Sequence, residues 1–241
     1  MIAPDILLTV VLTSVIQSLF GVGVLLFGTP LLLLLGYDFI HALTILLPIS
    51  IAINGLQIVS HYRHIDSVFY RHVLCYTIPF VVLFLFLVTT MRINITLLIG
   101  VFLILVALKN YAVAIDSALS RLFKFEKLYL IAMGIIHGLT NLGGSLLTAI
   151  VHGKAYPKDV TRVTVAVCYA TFALFQIATL LLSVQDLSIP YAEHAIYLVV
   201  GAWIFILAEE MVYIKLDNEK YSKIFALFLL ASGVALVLKT L

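Results

Sequence analysis

Two turns rich in small residues, 120 positions apart, hold the groups in this sequence best suited to chemistry. Gly21 and Gly23 in the first turn, and Asn141, Gly143, Gly144 and Ser145 in the second, would let backbone N–H groups approach an oxyanion closely. Asn141 and Ser145 add side-chain donors. A helix that starts at such a turn aims its unpaired N–H groups and the positive end of its dipole at whatever lies beyond it, which makes an anion site. Glycine serves close helix contact equally well, so the pattern leaves both uses open. Gln17 and His137 are an aligned pair just before the two turns, and His137 is the only ionisable residue placed near either tip. Protonated, it would complement an anion or couple movement to protons; neutral, it would bond a backbone carbonyl.

Polar side chains deep in apolar segments cost energy and mark candidate substrate paths. Thr161, Thr164, Cys168 and Thr171 recur at helical spacing along one apolar run, and Thr44 and Asn54 lie on the matching run of the first half. A threonine satisfies itself by bonding the carbonyl four residues earlier. The carboxamide of Asn54 is more demanding, since it needs several partners in a medium without water. Cys75 and Cys168 both sit in apolar stretches, where cysteine behaves as a small hydrophobe, so neither a disulfide nor a metal site is expected, and no cofactor is called for. Ser145 together with His137, His152 or His194 would suit an intramembrane serine hydrolase. However, the segment Gly143-Gly144-Ser145-Leu146 lacks a glycine after the serine, and a repeated turn has no role in that chemistry.

The elements that must position these residues are membrane helices. Of 241 residues 63% are hydrophobic and 11% charged, against about 45–50% and about 25% in ordinary soluble domains. Apolar runs of roughly 20 residues recur along the whole chain. Six read as single spans: 39–60, 68–89, 93–115, 160–184, 192–211 and 221–238. Two others, 6–35 and 128–152, are broken in the middle, the first at Gly21, Gly23, Gly28 and Pro30 and the second at Asn141, Gly143 and Gly144. Besides the turns, Ser14 and Ser18 align with Gly134 and Gly138 at the 120-residue offset, as Thr44 does with Thr164. The net charge of +2, with bases spread over loops, excludes a nucleic-acid partner.

The basic residues decide how the broken segments run. If both cross the membrane, the 14 Lys and Arg divide seven and seven between its sides. If both turn back as re-entrant hairpins, twelve share one side and only Arg92 and Lys239 lie opposite. The positive-inside rule selects hairpins, with both termini outside the cytoplasm. Each half then holds one hairpin and three spans, an odd number, so the halves face opposite ways. The expected fold is an all-α polytopic membrane protein of two inverted repeats, 1–120 and 121–241, a recurrent plan of secondary transporters.

The stretch from Ser14 to Ala42, with Ser14, Ser18, Gly21, Gly23, Pro30, Gly36 and Ala42, resembles the sulfite exporter TauE/SafE family. Gly134, Gly138, Asn141, Gly143, Gly144 and Ser145 repeat the theme more loosely. The chain departs from the family pattern at Val24, Leu25 and Asn141, where glycine is usual, and the second half has no proline matching Pro30. The resemblance implies a permease of the bacterial inner membrane for small anions such as sulfite or organosulfonates. The substrate would bind between the two tips, near Gln17, His137, Asn54, Thr44 and Thr164. Proton or cation coupling and a homodimer are further expectations, and a passive anion channel is the alternative to a carrier.

Overall fold

The computed structural model describes residues 2–91, 94–109, 125–184, 190–211 and 218–240. The expected span 93–115 therefore lies partly outside the described residues, as do Arg92, Arg121, Lys124 and Lys215. All regular structure among the described residues is helical. The helices are α1 (Pro4–Phe20), α2 (Val24–Leu35), α3 (Phe39–His61), α4 (Ser67–Tyr76), α5 (Ile78–Met91), α6 (Thr96–Lys109), α7 (Glu126–Thr140), α8 (Gly144–Gly153), α9 (Lys158–Ser183), α10 (Tyr191–Met211) and α11 (Asn218–Thr240).

Local chemistry sets the helix ends. Pro4 occupies the first position of α1, where a missing N–H costs nothing. The carboxylates of Asp38 and Asp66 cap α3 and α4 by accepting from the His41 N–H and from the Val68 and Phe69 N–H groups. Pro79 cannot donate to the carbonyl of Cys75, and the expected span 68–89 is interrupted there at Thr77, between α4 and α5. By length and composition four helical stretches can cross a membrane: Phe39–Val59, Ser67–Met91, Lys158–Ser183 and Tyr191–Glu209. Large apolar side chains such as Val59, Leu182 and Trp203 face outward, as a lipid-facing surface requires.

α3 and α9 form the centre, each with 61% of its span buried, against 39% for Ser67–Met91 and 28% for α10. They run antiparallel. Thr164, near the start of α9, accepts a hydrogen bond (3.1 Å) from the Asp66 N–H just past the end of α3. Thr44 and Pro48, near the start of α3, share a cavity wall with Ile177 and Leu180 near the end of α9. On the flanks, helices approach to backbone contact through small residues. A Cβ on Gly134 would come within 2.5 Å of the Thr77 carbonyl oxygen beside α5, and one on Gly138 within 2.7 Å of that of Val81. Gly233 of α11 lies against Gly100 of α6 in the same way.

The outer ends of α1 and α2, and those of α7 and α8, are tied together. The Tyr37 hydroxyl, just after α2, donates to Asp5 at the start of α1 (2.8 Å). Lys154, just after α8, meets Glu126 at the start of α7 (2.6 Å). The two ties lie at opposite ends of α3: Tyr37 stacks on His41 in its first turn (5.4 Å), whereas Tyr156 donates to Asp66 beyond its last. The Asp66 end also holds the His72–Glu126 contact (2.6 Å) and the Arg162–Glu209 ion pair. Arg63, Arg71, Lys127, Lys154, Lys158 and Arg162 all cluster at that end. Lys239 lies at the other, where its ammonium donates to the Leu33 and Leu34 carbonyls (3.0 and 3.1 Å) and so caps α2.

Partial burial raises the Glu126 carboxyl, but hydrogen bonds from Lys154 and His72 outweigh it and hold the group below the usual carboxylate range. A depressed folded-state pKa contributes stability that is present above the unfolded value and lost as pH falls through the folded one. The melting-temperature difference between wild type and Glu126→Gln should therefore stay constant from neutral to mildly acidic pH. It should shrink only below the ordinary carboxylate pKa, as a thermal-denaturation series across pH would register.

Candidate functional site

The two turns are built alike. Gly21 and Asn141 both adopt the left-handed conformation, at φ 72° and 62°, and each donates its N–H to the carbonyl four residues back, Gln17 and His137 respectively, at 2.8 Å. Glycine takes this conformation without strain, and asparagine tolerates it better than other residues. Two residues on, Gly23 lies against the backbone of Gln17 and Thr13, and Gly143 against His137 and Met133. All four pairs keep the 120-residue offset.

A buried amide network grows from each turn. In the first, the Gln17 side-chain oxygen accepts the Val24 N–H at the start of α2 (2.9 Å), and its amino group donates to the Asn54 Oδ1 (3.1 Å). Asn54 in turn donates to the carbonyl and hydroxyl oxygens of Ser50 (2.7 and 3.0 Å). In the second, His137 Nε2 donates to the Gln176 Oε1 (3.2 Å), and the Gln176 amino group donates to the Asn141 Oδ1 (3.2 Å). Asn141 then reaches across to α2 and donates to the Thr29 hydroxyl (2.9 Å). Gln17, Asn54, His137, Asn141 and Gln176 are all buried. His137 Nδ1 and both amide atoms of Gln57, one turn beyond Asn54, have no hydrogen-bond partner among the described residues.

Of the remaining sequence candidates, Thr44 and Thr164 lie away from these networks. Thr44 bonds the carbonyl of His41 (2.8 Å). It is ten residues from Asn54 on α3, or about 15 Å along the helix. Thr164, twelve residues before Gln176 on α9, sits about 18 Å from it along the helix and takes the Asp66 N–H. The Ser145 hydroxyl donates to the Leu142 carbonyl (3.0 Å). Gly144 packs against the Tyr169 ring, whose hydroxyl would lie 1.5 Å from an added Cβ. Sequence reasoning missed Ser50, Gln57 and Gln176. The signal was present in Gln176, a long polar side chain inside the run Phe172 to Leu182.

Interior amides of this kind, with donors that can exchange partners in a low-dielectric setting, suit an anion stripped of water. The family model described as Sulfite exporter TauE/SafE matches residues 6–236. The chain belongs to the sulfite exporter TauE/SafE family. Neither the curated proteins nor the solved structures contain a match to it. TauE/SafE membership, with the apolar helices, makes this a multi-pass membrane protein and implies a transporter of sulfur anions. In a TauE/SafE chain the turns at 21–23 and 141–144 occupy the interior, each tied to one of the two central helices through Asn54 or Gln176.

Proposed function

We propose that this TauE/SafE member is a secondary permease for a small anion, sulfite or an organosulfonate, which binds between the two hairpin tips and passes by alternating access. The observation that carries the reading is the pair of amide networks inside an otherwise apolar bundle, the second of them reaching α2 through the Asn141–Thr29 hydrogen bond. Buried polar groups at membrane depth are retained where they serve a substrate path. On binding, the anion would displace the Gln17 side-chain oxygen from the Val24 N–H and take that donor at the positive end of α2.

Two further observations support inverted repeats. The hairpin ties lie at opposite ends of α3. The packing partners also exchange between halves: α1 packs on α10 as α7 packs on α5, and α10 packs on α3 as α5 packs on α9. The clustering of bases at the Asp66 end, with Lys239 opposite, supports a cytoplasmic Asp66 end in a bacterial inner membrane and both termini outside. At that end the Lys154–Glu126 ion pair ties the outer ends of α7 and α8, and the Arg162–Glu209 ion pair ties α9 to α10.

Uptake of radiolabelled sulfite into proteoliposomes tests the proposal. Wild type should accumulate label above protein-free vesicles, and Thr29→Val, which removes the link between hairpins, should lower the rate about tenfold, the worth of one well-made buried hydrogen bond. Equal uptake by wild-type and protein-free vesicles would contradict it.

A further inference from the structure

Where α3 and α10 begin and α9 ends there is a cavity of about 240 Å³, lined by Thr44 and Pro48, by Ile177 and Leu180, and by His194 and Leu198. Apart from Thr44 and His194, these side chains are aliphatic. His194 is only 8% exposed, and neither of its ring nitrogens has a hydrogen-bond partner among the described residues. Its neighbours do not supply one: the His41 ring lies edge-on at 6.4 Å between centroids, and the Thr44 hydroxyl donates to the His41 carbonyl. Phenylalanine would fill the same space without burying two unmet polar atoms, so packing alone does not account for an imidazole here. Leu181 and Tyr191, which also line the cavity, are 60% and 78% exposed.

We propose that this cavity binds a small organic anion with a short aliphatic body, its head accepting a hydrogen bond from His194 and its body lying against Leu180 and Leu198. The inference rests on the permease reading and adds a second site, at the end of the molecule away from the ion pairs. A bare inorganic oxyanion would leave the aliphatic wall unused. A lipid acyl chain would leave the imidazole unmet. The volume is below the roughly 300–1,000 Å³ of pockets for drug-sized ligands, which favours a chain of a few carbons.

Equilibrium dialysis of butane-1-sulfonate against the full chain in phospholipid nanodiscs decides the matter. His194→Phe removes the donor, His194→Gln keeps one, and Ala195→Leu narrows the cavity from an exposed position that does not endanger folding. The dissociation constant should rise about tenfold in His194→Phe and Ala195→Leu and stay within about threefold in His194→Gln. Unchanged binding in Ala195→Leu and His194→Phe would overturn the proposal. So would a phospholipid retained by wild type and lost from Ala195→Leu, seen by native mass spectrometry, with no sulfonate bound. Sulfite uptake in parallel proteoliposomes judges the permease reading separately: its loss in wild type would remove that reading, while dialysis still decides whether the cavity binds the sulfonate.

Discussion

Gly143→Ala and Gly23→Ala are expected to abolish recovery of folded protein, rather than to leave a folded but inactive permease. A Cβ added at Gly143 would lie 2.5 Å from the His137 Cβ and 2.8 Å from the Met133 carbonyl oxygen. At Gly23 the nearest atoms are the Gln17 nitrogen and the Thr13 oxygen, at 2.6 and 2.7 Å. These are mostly backbone atoms of the preceding helix, which cannot swing aside as a flexible side chain does. Overpacking a core costs about 1–3 kcal/mol and occasionally more, and a clash with backbone belongs at the upper end. Gly55→Ala is the control, because nothing lies within 4 Å of its added Cβ. In mid-helix that change should be neutral or stabilising by up to about 1 kcal/mol. Size-exclusion profiles and melting temperatures in detergent would show a monodisperse peak for Gly55→Ala and aggregation for the other two.

Gln176→Leu should cost both stability and transport, and a second substitution should separate the two. Leucine at this position strands the His137 Nε2–H and the Asn141 Oδ1, both on buried side chains. Each stranded group costs about 1–3 kcal/mol, whereas removing both partners of a bond is close to neutral. The double variant His137→Leu/Gln176→Leu should therefore regain roughly half of the lost stability and none of the lost sulfite flux. Thermal denaturation together with proteoliposome uptake checks this. Flux that recovered along with stability would reduce the network to a structural role.

Much of this arrangement was legible before any coordinates. The 120-residue offset pairs residues that the structure builds alike, Gly21 with Asn141 and Gln17 with His137, because a left-handed cap followed by a close-packed glycine leaves a mark in small residues. The same offset also pairs Thr44 with Thr164. It identifies positions early in α3 and early in α9, but those helices run antiparallel, so the two threonines lie at opposite ends of the molecule. The partners on the central helices follow a different spacing. Gln176 lies 122 positions from Asn54, so a search at fixed offset passed over it. Gly134 and Gly138 belonged to the small-residue pattern for another reason, since they admit α5 to backbone contact and take no part in the turns. The break at Thr77 needed Pro79 to be weighed against an otherwise unbroken apolar run.

On the proposed function, a sulfur anion binds inside the bundle and is carried through by alternating access. Counterflow measures this most directly: proteoliposomes loaded with unlabelled sulfite are diluted into a trace of labelled sulfite. A carrier should give a transient overshoot of internal label that saturates with external sulfite and is lost in His137→Leu/Gln176→Leu. Label that rises monotonically to equilibrium, with no overshoot and no saturation, would contradict the account and indicate a channel.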